Sequence, residues 1–237
     1  MSLANAMSGI GFSLKELNKI EAATKALDKA IELLRTSDYP FLADSLRTRG
    51  SWCGEAGNWK AALESYAEAA QINEINGVQE FYARDLLHVA NCQFQLGAWN
   101  ETISTALKAR SIFKELKMIG ELSWCDLNIA NANVEMGEGE LAMTWGQRAL
   151  DIGTLRKDNE MICKASYALA RGHLLRGNPA SAESLLLEAQ EIVSGSGDWS
   201  QLIKIEEALI AVYKETGREN EATESMRRLS TLRDLVQ

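Results

Sequence analysis

The chain has 237 residues, 46% of them hydrophobic, an ordinary share for a folded protein that excludes wholesale disorder. Its 25 Lys and Arg face 33 Asp and Glu, a net charge of -8, which argues against nucleic acid as a direct partner because phosphate-backbone binding needs a basic surface. There is no apolar run of about 18 residues, so no membrane span is expected, and the opening MSLANAMSGIGFSL lacks the basic flank and long apolar core of a signal peptide.

The expected setting is the cytoplasm. Cys53, Cys92, Cys125 and Cys163 are widely separated and read as small apolar residues in a reducing compartment, with neither a disulfide nor zinc. Pro40 and Pro179 are the only two prolines, which favours uninterrupted helices. Met1-Ser2-Leu3 leaves two readings open, a native start or a vector remnant on a piece of a longer protein.

Residues 1–39 read as a tail followed by one extra amphipathic helix. Over 13–35, Leu17, Ile20, Leu27, Ile31 and Leu34 keep helical spacing, and residues 1–12 read as frayed or as a partial cap. From residue 40 the chain aligns with itself. Gly57, Gly97, Gly137, Gly177 and Gly217 recur, each followed five residues later by a small residue: Ala62, Thr102, Ala142, Ala182 and Ala222. The pattern predicts five units of forty residues, at 40–79, 80–119, 120–159, 160–199 and 200–237. A period of that size marks a solenoid, in which each unit buries its face on its neighbours.

Within a unit, the glycine ends a first helix in the left-handed conformation, and the next residue starts a second. Asn58 is a candidate N-cap, and Asn178-Pro179 repeats that arrangement with Pro at the first helical position. Two rows of mostly small residues, Gly50, Ala90, Ala130, Ala170 and Ile210 on first helices and Ala69, Ala109, Ala149, Ala189 and Leu229 on second ones, let the pair approach closely. The prediction is antiparallel helix pairs. In the last helix, Ala222, Met226, Leu229 and Leu232 are expected to point inward. The apolar edge ending in Leu235 and Val236 then suits a second copy, giving a homodimer through the terminal helix, or a downstream domain.

Gly50, Gly57, Ala62, Tyr66 and Ala69, at these spacings, resemble the tetratricopeptide repeat pattern of small, glycine, alanine, aromatic and alanine residues. The resemblance covers 40–237. It departs from that family in its forty-residue unit, which fits longer helices or longer links, and in having Glu74 near the slot of the family's helix-ending proline. Forty-residue units are similar to those of bacterial regulatory proteins, MalT-like arrays and kinesin-light-chain-like arrays. The resemblance implies an all-α, right-handed α-solenoid.

No phosphate loop, dinucleotide fingerprint, zinc-protease motif or nucleophile elbow is present, so neither an enzyme nor a cofactor is expected. His88 and His173 lie in different units, and His173 is expected to be buried and hydrogen-bonded. The resemblance implies a protein or peptide partner held along the first helices. In register, those helices place Asn91, Asn131 and Arg171 in one row, with Arg47 and Tyr167 one turn earlier and Arg84, Trp124 and Lys164 a further turn back. An asparagine amide both donates to and accepts from a peptide backbone, and the cations suit a carboxylate. The row is similar to the carboxylate clamp of chaperone-binding members of the family, but Leu87, Leu127 and Tyr167 stand where that clamp has basic residues. The functional expectation is a non-catalytic interaction module. The alternative is the sensory region of a bacterial signalling protein, such as a diguanylate cyclase or a transcription activator.

Overall fold

A computed structural model describes residues 10, 11, 13, 15, 20–35, 39–195 and 197–236. Among them the chain forms eleven α-helices and no strand. They are α1 (Ile20–Leu34), α2 (Tyr39–Glu55), α3 (Trp59–Ile75), α4 (Gln79–Gln95), α5 (Trp99–Glu115), α6 (Ile119–Glu135), α7 (Gly139–Arg156), α8 (Asn159–Leu175), α9 (Pro179–Ser194), α10 (Trp199–Glu215) and α11 (Glu219–Val236). The chain divides into two compact units, Met1–Leu116 and Lys117–Gln237. The first holds α1–α5 and the second α6–α11. The fold is an α-solenoid of tetratricopeptide-like helical pairs.

The turns explain the forty-residue period. Backbone φ is positive at residues 57, 77, 97, 117, 137, 157, 177, 197 and 217, an interval of 20. At the first of these, Gly57 N–H donates to the Gly54 carbonyl at 2.9 Å and Asn58 N–H to the Cys53 carbonyl at 2.8 Å. This pair of bonds is the Schellman closure, which needs a left-handed residue just past the helix. The same two bonds recur at Gly77–Val78, Gly97–Ala98, Gly137–Glu138, Lys157–Asp158, Gly177–Asn178 and Gly217–Arg218. The extra length over the family's usual unit therefore lies in the helices, most of which are 17 residues long, while most turns keep three residues.

The residue that completes one closure also starts the next helix. Asn58 Oδ1 accepts from Ala61 N–H at 3.2 Å, Asp158 Oδ1 from Met161 N–H at 3.0 Å and Asp198 Oδ1 from Gln201 N–H at 3.0 Å. Asn178 departs from expectation. Pro179 does begin α9, but the Asn178 side chain makes no capping bond. Its backbone N–H is already committed to His173 O at 2.9 Å, so the closure stands without the side chain.

Between the turns, small residues set the helix spacing. Ala62, Thr102, Ala142, Ala182 and Ala222 are all fully buried, as are Ala69, Ala109, Ala149 and Ala189. Gly50 stands where the next three repeats have alanine and the fifth has Ile210; a Cβ at Gly50 would lie 2.8 Å from the Tyr66 ring. In the first unit, Leu27, Ile31, Leu46 and Trp52 join α1 to α2. Gly11, which is helical and buried, lies against the backbone of α1 and the Trp52 ring, and Ile10 beside it is exposed; residues 1–9 and 12 fall outside the described set. Leu17 also lies outside it. In the second unit, Leu186, Ile205, Leu209, Val212 and Leu232 form one core. All four cysteines are buried, and none forms a disulfide among the described residues.

The last helix corrects one inward slot. Ala222, Leu229 and Leu232 are buried, but Met226 is 39% exposed and Ser225 takes the inner position. The line 222, 225, 229, 232 follows the helical period more closely. Ser225 Oγ is satisfied there by Arg228 Nη2 at 2.8 Å. No described helix is long and apolar enough to cross a membrane.

Two turns carry a lysine where the others have glycine. Lys117 and Lys157 sit at φ 58° and 56°, a conformation that costs a residue with a Cβ about 1–2 kcal/mol, partly offset by its stiffer unfolded chain. Lys157→Gly is expected to raise the unfolding free energy in urea by up to about 1 kcal/mol, and Gly137→Ala to lower it by a similar amount.

Candidate functional site

The eight residues singled out from the sequence divide between the two units. Arg47, Arg84 and Asn91 lie in the first, and Trp124, Asn131, Lys164, Tyr167 and Arg171 in the second.

In the first unit, Arg47 is drawn inward. It pairs with Asp44 one turn back on α2. Its guanidinium carbon stands 4.6 Å over the Phe81 ring of α4, and Nη1 is 3.5 Å from Asp85 Oδ1. Asp85 is fully buried, and its Oδ2 accepts from Asn73 Nδ2 of α3 at 2.6 Å. Neither Arg47 Nη1 nor Asp85 Oδ1 completes a hydrogen bond. Burial pushes the Asp85 carboxyl up to about 6, against the opposing pull of Arg47 and Asn73. Nearby, the Tyr66 and His88 rings stack with centroids 4.6 Å apart. Burial drives the Tyr66 hydroxyl up to about 12. Desolvation of the imidazole, followed by the Arg47 and Arg84 charges, holds His88 below its ordinary value. Arg84 Nε pairs with Glu80 on its own helix at 3.2 Å, and Asn91 is half-buried further along α4.

The second unit gathers its five residues along α6 and α8. Lys164 Nζ of α8 lies 4.9 Å over the Trp124 ring of α6. Arg171 Nη1 of α8 pairs with Glu135 of α6 at 2.9 Å. Arg171 also stands 5.9 Å from the Tyr167 ring. Asn131 lies on α6 between the two bridges, half-buried, with its carboxamide making no side-chain hydrogen bond among the described residues. The cations are not free: Lys164 also pairs with Glu160 at 2.6 Å. The strip is therefore two aromatic rings, each under a cation, flanking one open amide.

Beside the strip, between α8, α9 and α10, lies a pocket of about 230 Å³. Lys164 borders both. The pocket's floor is Cys163, Ile192 and Val193, and its polar rim includes Glu160, Asp198 and Gln201. Gln201 is only 6% exposed, yet its Nε2 has no hydrogen-bond partner. The His173 expectation is corrected in part: the side chain is half-buried, and its buried Nδ1 finds no partner.

Reading from sequence missed Asp85, Asn73, Glu206 and Gln201. A signal existed for each acid. Asp85 occupies the slot of Ser45, Cys125, Ala165 and Ile205, and Glu206 that of Leu46, Leu86, Asp126 and Ser166, of which Asp126 is a second buried acid. A charge in a core slot demands partners. For Glu206, 1% exposed, these are Gln190 Nε2 at 2.5 Å and Arg228 Nε at 2.9 Å.

Residues 2–75 match the family model described as Tetratricopeptide repeat. Among curated proteins, none matches the sequence. Solved structures share the fold. The chain superposes on a Rap protein complexed with competence and sporulation factor with a TM-score of 0.75 and 19% identity, covering 92% of this chain and 61% of that one. With BtubC (BKLC) from P. vanneervenii the TM-score is 0.72 and the identity 14%, over 100% and 93% of the two chains. With a signal transduction ATPase with numerous domains from Pyrococcus horikoshii, bearing a tetratricopeptide repeat sensor, the TM-score is 0.74 and the identity 18%, over 98% and 37%. The family match is confined to residues 2–75, and over the rest of the chain the likeness is one of fold.

Asp85 sets a pH dependence. Its carboxyl ionises near 3.8 in the unfolded chain and at about 6 in the folded one. Between those values the folded state holds a proton that the unfolded state has released, so this group's contribution to stability falls as pH rises from about 4 to about 6. Relative to wild type, Asp85→Asn is expected to gain on the order of 2–3 kcal/mol between pH 4 and pH 7 in paired urea titrations. An unchanged difference at the two pH values would show that Asp85 titrates normally.

Proposed function

We propose that the protein is a non-catalytic interaction module whose α6–α8 face binds an extended peptide or a partner's segment. The observation that carries this reading is the strip itself. Trp124 and Tyr167 supply aromatic surface of the kind that anchors interfaces. The Asn131 amide is positioned to donate to and accept from a peptide backbone. Lys164 and Arg171 are tied to Glu160, Glu135 and the two rings, which holds them in place before a partner arrives. Their exchange onto a partner costs little, because such half-exposed pairs contribute about 0–1 kcal/mol each. In the first unit, Arg47, Arg84 and Asn91 are proposed to serve the same role at lower charge, since Arg47 is committed to Asp44 and Asp85.

A second reading places the chain as the sensory region of a bacterial signalling protein. Its support is likeness of fold: nearly the whole chain superposes on the ATPase that bears a repeat sensor, yet spans only 37% of it. The length of the native gene, and any output domain it encodes, decides between this and a free-standing module.

The binding face is tested by capturing a partner and measuring its affinity by calorimetry for wild type, Asn131→Ala and Arg171→Glu. Each substitution is expected to weaken binding by about 1–3 kcal/mol. Unchanged affinity in both would remove the α6–α8 face as the docking site.

A further inference from the structure

The repeats supply an internal comparison. In α6–α8, Met161 is fully buried and fills the space above Gly153, where a Cβ would stand 3.0 Å from Met161 Cγ. Trp124 packs on the same cluster. Forty residues on, in α8–α10, the scaffold is the same but the filling is not. Gln201 replaces Met161, Val193 replaces Gly153 and Lys164 replaces Trp124. The space that one repeat packs shut is open in the next as a pocket of about 230 Å³. Liquid water occupies about 30 Å³ per molecule, so one ordered water does not fill it.

The charges around this pocket are already compensated. Glu160 is paired with Lys164 at 2.6 Å. Asp198 caps Gln201 N–H at the start of α10, where the helix dipole favours a negative charge. The Cys163 thiol is raised by burial and stays neutral, its sulfur 3.6 Å from the Ala189 carbonyl. The unmet demand is the Gln201 amide, 6% exposed with Nε2 unpartnered, beside the apolar side chains of Ile192 and Val193. A buried donor without an acceptor is costly, and a methionine in this slot of the preceding repeat shows that the fold does not require one.

We propose that this pocket is a binding subsite for a neutral aliphatic amide: a main-chain peptide unit with a small branched side chain, its carbonyl accepting from Gln201 Nε2 and its side chain resting on Ile192 and Val193. A cationic or anionic ligand gains nothing there, because each charge on the rim has its counterpart. Assigning the amide to a bound peptide rests on the reading of the α6–α8 face given above; the pocket itself is testable without it.

The probe is N-acetyl-L-valinamide, titrated into the full chain and followed by ¹H–¹⁵N NMR, with cationic L-valinamide and anionic N-acetyl-L-valine as comparisons. The neutral probe is expected to shift the backbone amides of Cys163 and Lys164 and the side-chain amide of Gln201 saturably, with millimolar affinity, and both charged probes to bind at least about fivefold more weakly. Gln201→Met, which installs the residue of the preceding repeat, is expected to weaken the probe at least about tenfold without lowering the melting temperature. Absence of saturation up to about 50 mM, tighter binding of a charged probe, or undiminished binding to Gln201→Met would each overturn the subsite. Loss of the subsite while Asn131→Ala and Arg171→Glu still weaken a captured partner would leave the docking face standing.

Discussion

A helix of 17 residues can reverse within three only if its last carbonyls are closed by the turn itself. Here that closure is a left-handed residue followed by one whose N–H reaches back into the helix. That second residue is also the cap of the following helix, so the turn has little slack, and the positive-φ residue returns every 20 residues even where a helix is one residue longer or shorter. The phase matters because the buried stripe on each helix must face its neighbours. An inserted residue in any turn would rotate the next stripe by about 100° and expose it. The small residues depend on this phasing. Ala62 and Ala69 reach full burial only because the turn at Gly57 delivers them to the same side of α3.

The two classes of turn differ in how visible they are in the sequence. Those inside each forty-residue unit carry glycine at 57, 97, 137, 177 and 217, and the repeat announces them. Those between units have the same left-handed φ, yet hold Gly77, Lys117, Lys157 and Gly197. Lysine in the left-handed region is uncommon, so a reader looking for glycine sees a forty-residue rhythm where the backbone has one of twenty. The alanine rows were legible for a related reason: steric demand leaves few alternatives at a close helix contact. Met226 was misplaced because chemical type outweighed phase. A methionine looks apolar, but Ser225 is nearer the buried line and has Arg228 to satisfy it.

The candidate site was legible in its residues and not in their partnering. Slot counting put Trp124 and Asn131 on the first helix of one repeat and Lys164, Tyr167 and Arg171 on that of the next, and these residues lie along α6 and α8. Their pairing with Glu135 and Glu160 depends on side-chain reach across helices, which spacing within one helix does not encode. Asp85 and Gln201 were hidden for the opposite reason. Asp85 is the one acid in a slot that otherwise holds Ser45, Cys125, Ala165 and Ile205, Gln201 stands where the preceding repeat has Met161, and only a comparison of every slot across all repeats brings them out. In a solenoid, such exceptions carry more information than the rule.

The arrangement of charge then constrains what kind of recognition this chain supports. With Arg47, Arg84, Lys164 and Arg171 all in contact with carboxylates, no part of either strip presents an uncompensated cation to attract an acidic ligand from a distance. The net charge of -8 works against acidic partners as well. Steering by long-range electrostatics is therefore weak for such ligands. Selectivity has to come from contact, through aromatic surface, an open amide and shape, and contact of that kind favours a partner whose own charges are few or already paired. A neutral, partly aliphatic segment meets that condition on the α6–α8 face, and it is the same chemistry that the unfilled pocket beside Lys164 calls for.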